Sequence, residues 1–176
     1  MITNFKVGDF CMYRTHGVAK IIDIETVKFG DFESKCLVLF FENEKMTLSV
    51  PLKFKDNGDI RRLCTEEELD KVLDILKSGQ KKLKGMWSRR AKEYEEKINS
   101  GNIFDTAEVL QDLIRDVAEE DRSFSERLIY ETALERLSME YSLVKKVSFE
   151  DAKNLIIDVA KNKVSFSGEV KIAFNS

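Results

Sequence analysis

The sequence predicts an α+β chain: a small, strongly curved β-barrel followed by a compact α-helical unit. Three observations carry that prediction. The hydrophobic period changes from two to 3.6 near Arg62, helix-capping signatures recur beyond that point, and 43% apolar with 35% charged residues suits packed cores under a charged surface. The 176 residues suffice for two small units. The change of period divides them into 1–62 and 63–163, leaving a tail at 164–176 in which Val170, Ile172 and Phe174 alternate only weakly.

In the first unit, Val18, Ile21, Ile22, Ile24 and Val27 form one β run, residues 36–41 a second and residues 46–50 a third. Gly30-Asp31 reads as a hairpin turn, and Asn57-Gly58 as a tight turn with positive φ at both centres. Pro51, the only proline, stops the third run because it lacks the N–H that a ladder needs. Four or five short strands in roughly sixty residues cannot build two packed sheets, so a small barrel is expected.

In the second unit, Thr65 and Glu68 form a capping box ahead of Leu69, Val72, Leu73 and Leu76, and Gly79 ends that helix. Ser88 is read as the cap of a helix running through Ala91, Tyr94 and Ile98 to Gly101, with Trp87 just before the cap and Arg89 and Arg90 in the first turn. Asp105 with Glu108 opens a helix bearing Val109, Leu110, Leu113, Ile114 and Val117. Ser123 with Glu126 opens one bearing Leu128, Ile129, Ala133, Leu134 and Leu137, and Ser148 with Asp151 precedes Leu155, Ile156 and Val159. Each helix is amphipathic, so the helices need one another and form a bundle.

A net charge of −3 does not announce a nucleic-acid binder, but the average conceals a segregation. Lys77, Lys81, Lys82, Lys84, Arg89, Arg90 and Lys92 fall in an interval without Asp or Glu, whereas residues 105–140 hold eleven acidic residues against four arginines. The only tryptophan, Trp87, stands in the basic interval. Helix N-terminal N–H groups and guanidinium forks bind phosphate, and an aromatic wedge beside them can press into a minor groove. The other reading makes Trp87 a hydrophobic staple on Ala91 or Tyr94 within a solvated basic linker.

Three cysteines without CxxC spacing suit reduced thiols, and neither an apolar span nor a cleavable leader is apparent, so a cytoplasmic chain that does not enter membranes is expected. No metal or cofactor motif stands out. Cys11 and His16 could be imagined as nucleophile and base, but no third orienting group accompanies them, and an enzyme is not expected.

The opening Phe5, Lys6, Val7, Gly8, Asp9, then Tyr13, His16 and Gly17, later Met46, Thr47, Leu48, Val50 and Pro51, and above all Trp87, Ser88, Arg89, Arg90, Tyr94, Lys97 and Gly101, closely resemble the CarD/CdnL bacterial transcription regulators. The match runs from about residue 5 to 161. The resemblance implies that residues 1–62 are a Tudor-like barrel, shared with the transcription-repair coupling factor, which docks on the β subunit of RNA polymerase. It also implies that residues 63–163 contact promoter DNA.

By that resemblance the polymerase contact is edge-strand pairing around Met46, Thr47, Leu48, Ser49, Val50 and Pro51, and Trp87 wedges into the minor groove at the upstream edge of the bubble. Arg89, Arg90, Lys92 and Lys84 would accompany the wedge and so stabilise the open complex. Many relatives carry arginine where this chain has Ser49 and proline where it has Arg14, and some carry a basic residue at Val27. Arg14 or Lys28 would then compensate in the polymerase contact. A monomer, weak and non-specific on DNA alone, completes the expectation. The alternative is a polymerase-independent peptide- or RNA-binding barrel, its aromatic face made by Phe10, Tyr13, Phe29, Phe32, Phe40 and Phe41, with the helices as a protein-interaction platform.

Overall fold

The computed structural model describes residues 4–52, 58–78, 83–114 and 122–161. The tail at 164–176, Lys81, Lys82, Asn57, Gly79, Val117 and four of the acidic residues (Asp116, Glu119, Glu120, Asp121) lie outside them. Five antiparallel strands come first: β1 (Phe10–Tyr13), β2 (Gly17–Phe29), β3 (Phe32–Phe41), β4 (Met46–Pro51) and β5 (Ile60–Arg62). Gly30-Asp31 turns β2 into β3, and Pro51 is the last residue of β4, as the sequence indicates.

The sheet order is β4-β3-β2-β1-β5. The expected barrel is therefore an open sheet: β4 and β5 occupy opposite edges, and β5 is only three residues long, too short to close a ring. A bulge at Ile22, between the Ile21 and Asp23 pairings with β3, adds local bend. Alternation sends Cys11, Ala19, Ile21, Leu37, Leu39, Phe41, Val50 and Ile60 into one core.

Five helices follow: α1 (Glu66–Lys77), α2 (Trp87–Asn99), α3 (Ile103–Leu113), α4 (Phe124–Lys145) and α5 (Phe149–Ala160). Their apolar stripes close a second core around Leu69, Val72, Tyr94, Leu110, Leu113, Leu137 and Ile156. Thr65, Ser123 and Ser148 cap α1, α4 and α5, and Thr65 with Glu68 makes the reciprocal capping box.

Two helix starts differ from the sequence reading. The cap of α3 is Asn102, whose side chain accepts from the Phe104 N–H, while Asp105 accepts from the Ser100 hydroxyl at 2.7 Å. Gly101, at φ +78°, reverses the chain just ahead and fixes that earlier start. In α2, Met86 takes the capping position without a side-chain bond, so Trp87 is the first helical residue and Ser88 lies inside the turn. The tertiary contacts of Trp87 outweigh the local capping signal of Ser88.

Candidate nucleic-acid interface

Trp87 heads the buried stripe of α2 formed with Ala91, Tyr94 and Ile98, spaced as one helical face. The staple reading is thus part of the structure: the indole is half-buried, 6.3 Å from the Tyr94 ring centroid and tilted 46° to it. Its Nε1–H donates to the Ser125 hydroxyl on the first turn of α4 at 2.8 Å. Arg90, grouped by the sequence with the DNA-contacting cations, turns toward the indole. It is half-buried, its guanidinium stands 5.4 Å above the Trp87 ring, and it hydrogen-bonds Tyr94.

Tyr94 in turn donates to Asp112 on α3 at 3.4 Å. Burial raises the pKa of both Tyr94 and Asp112; Lys97 and Arg90 partly oppose the shift at Asp112. The indole is therefore held from below by a network reaching α3 and from the side by α4, while the remainder of its surface is open to solvent.

Lys84, Arg89 and Lys92, in the segment that leads into and opens α2, are exposed. Arg89 pairs with Glu93 one turn on at 3.2 Å, a surface pair weak enough to yield to a phosphate. No acidic residue lies in the first turn of α2, so the cations there oppose the helix dipole and an external anion relieves both. The chain enters this helix through Gly85 at φ +118°, a conformation that favours glycine.

The structure also brings residues to this end of the bundle that sequence reasoning missed. Ser125 is one; Met86, Phe124 and Leu128 are others, exposed to 77%, 81% and 55%. Leu128 was expected on the buried stripe of α4, but that stripe passes through Ile129, Tyr130, Ala133, Leu134 and Leu137. A phenylalanine directly after a serine cap was the available signal.

The residues expected to meet polymerase separate into two groups. Residues 46–51 form β4, whose outer edge has no partner strand among the described residues; Thr47 and Ser49 are exposed, and Val50 is buried. Arg14 is not brought to that edge. It follows β1, three strands from β4, and its Nε meets Asp59 at 2.7 Å, because the turn it occupies faces the turn leading into β5. Lys28 pairs with Glu33 at 3.1 Å near the β2–β3 tip.

The imagined Cys11–His16 pair does not form. Cys11 is fully buried, burial and nearby Asp9 push its thiol up to about 12, and His16 Nδ1 instead faces Glu44 at 3.1 Å. Of the aromatic face, Phe10, Phe40 and Phe41 line one groove and Tyr13 meets Phe41 edge-on at 6.0 Å, while Phe32 is exposed at the β2–β3 tip. Among the described residues no His, Cys, Asp and Glu cluster could hold a metal, and no helix is long and apolar enough to cross a membrane.

Comparison with known proteins follows the same division. Residues 5–64 match the CarD-like/TRCF RID domain, and residues 71–157 match the CarD C-terminal domain. The chain is 27% identical over 150 residues to the Bacillus subtilis (strain 168) protein named "Putative transcription factor YdeB", spanning 85% of this chain and 98% of that protein. These likenesses point to transcription regulation rather than catalysis. Carrying both domains in order, with β4 on one unit and Trp87 on the other, the chain belongs to the CarD-like family.

Proposed function

We propose that this protein is a transcription regulator that docks on the RNA polymerase β subunit through the outer edge of β4 and stabilises the promoter open complex with Trp87. The observation that carries this reading is the placement of a half-exposed indole at the head of a helix whose first turn holds cations and no acids. The outer edge of β4, which has no partner strand among the described residues, suits strand addition, in which backbone bonds supply affinity and side chains select the partner. Ser49 and Val27 contribute no charge to this contact, and Arg14 serves elsewhere, so the docking rests on the backbone and the apolar residues of β4.

Lys84, Arg89 and Lys92 would meet phosphates, while Arg90 orients the wedge from beneath. A ligand shifts an equilibrium only by its differential affinity, so preferential contact with the opened fork is what lengthens the life of the open complex. The protein acts as a monomer in this scheme, and polymerase supplies the local concentration that weak DNA contacts need.

Trp87→Ala in the full chain, assayed with polymerase and promoter DNA, is expected to shorten open-complex lifetime several-fold to a hundredfold, since aromatic contacts to bases are worth about 1 to 3 kcal/mol. An unchanged lifetime with polymerase retention intact would overturn the wedge.

A further inference from the structure

The proposed function places polymerase at one end of the molecule and DNA at the other, and resting on that reading there is a further question of what fixes the span between them. Two arginines lie between the sheet and the helices. Arg61 of β5 donates from Nη1 and Nη2 to the two carboxylate oxygens of Glu140 on α4, at 2.6 and 2.9 Å, and from Nε to the Gly101 carbonyl at 2.6 Å. Glu140 is buried and also accepts the Cys64 N–H at 2.8 Å. Burial works against the Arg61 charge, but the hydrogen bonds and charge of Glu140 more than offset it and raise the pKa.

One turn earlier on α4, Arg136 donates from Nη1 to the carbonyls of Arg14 and Ile98, at 3.0 and 2.9 Å, and from Nη2 to that of Thr15 at 2.5 Å. A single guanidinium thereby joins the β1–β2 turn, the C-terminal end of α2 and the middle of α4. Beside it, a Cβ on Gly101 would lie 2.8 Å from the Arg14 Cβ, so the α2–α3 turn and the β1–β2 turn touch.

The other end of α2 is fastened to the same helix. Trp87 bonds Ser125, and Ile98 bonds Arg136; the two fastenings are eleven residues apart on α2 and eleven apart on α4. At 1.5 Å per residue both intervals span roughly 16 Å, about three turns. The helices therefore run side by side in the same direction, riveted at matching ends, and the rivet nearer the sheet is the residue that grips the sheet.

We propose that Arg61, Arg136 and Glu140 are positioning residues: together they form a joint that sets the reach from the β4 edge to Trp87, so that docking of one surface delivers the other to a fixed place. The planar fork of Arg136 is what allows three carbonyls to be held at once; an ammonium cannot reproduce it.

The test uses the full chain with Arg136→Lys, which keeps the charge, and Gly101→Ala, which forces the two turns apart without removing any charge. Trp87, the sole tryptophan, is the energy-transfer donor to an acceptor attached at Glu25→Cys on exposed β2. Both variants, folded by circular dichroism, are expected to show a broadened Trp87-to-sheet distance distribution. They should retain polymerase as the parent does, and their open-complex lifetime should fall several-fold, towards that of Trp87→Ala. A distribution as narrow as the parent's in both variants overturns the joint. A broadened one with unchanged lifetime, where Trp87→Ala does shorten it, overturns the use of the joint in positioning. If Trp87→Ala itself has no effect on lifetime, the wedge reading fails, and the distance distribution still decides the joint.

Discussion

Trp87 shows how one residue acquires two roles that composition cannot separate. Its half-buried face belongs to the packing of α2 on the bundle, through Tyr94 and Ser125, and that packing orients the face left open. Arg90 lies beside Arg89 in sequence, but the 100° step between neighbours on a helix separates their side chains, one pairing with Glu93 and the other lying over the indole. Cys11 illustrates burial acting alone. Its thiol, pushed up to about 12, is expected to resist alkylation at pH 8 in the folded protein and to react on unfolding, which a mass-resolved labelling time course checks. Because the unfolded thiol ionises near 9.0 and the folded one higher, Cys11 makes stability fall as pH climbs above that ordinary value.

Among elements, what was legible followed from local rules. The capping signatures of Thr65, Ser123 and Ser148 located α1, α4 and α5, and alternation located β2, β3 and β4, because each is a short-range pattern of one residue against its near neighbours. The start of α2 was not legible in the same way, since Trp87 is held by Ser125 on another helix, and at α3 the Asp105–Glu108 pattern competed with the equally local cap of Asn102 on the Phe104 N–H. Two substitutions separate the cases. Thr65→Ala is expected to cost about 1 kcal/mol by losing a capping box, whereas Ser88→Ala, inside the first turn of α2, should be close to neutral; urea unfolding of both variants compares them. Barrel closure was likewise beyond the sequence. Whether the edges of a sheet meet depends on the length and register of β5, and three residues at a strand edge leave almost no periodic trace.

At the scale of the whole molecule, two cores are joined through a polar seam that no motif signals, because Arg61 and Glu140 are 79 residues apart and each alone resembles a surface charge. Removing Arg61 would leave the Glu140 carboxylate buried with the Cys64 N–H but without a countercharge. Arg61→Ala is expected to lose about 3 to 5 kcal/mol, while replacing both residues by Met should recover most of that loss; calorimetric unfolding of the parent, single and double variants is the check. The same seam answers the segregation of charge, since Glu140, one of the acidic residues between 105 and 140, is neutralised by the sheet. Strand order also dictates a sequence of events in time. The β2-β3-β4 part of the sheet is built from consecutive hairpins, whereas β5 reaches β1 only by closing a loop of about fifty residues, a slow and entropically costly step. During refolding the β4 edge is accordingly expected to form before Arg61 arrives to complete the joint, so that the reach of the molecule matures after its docking edge.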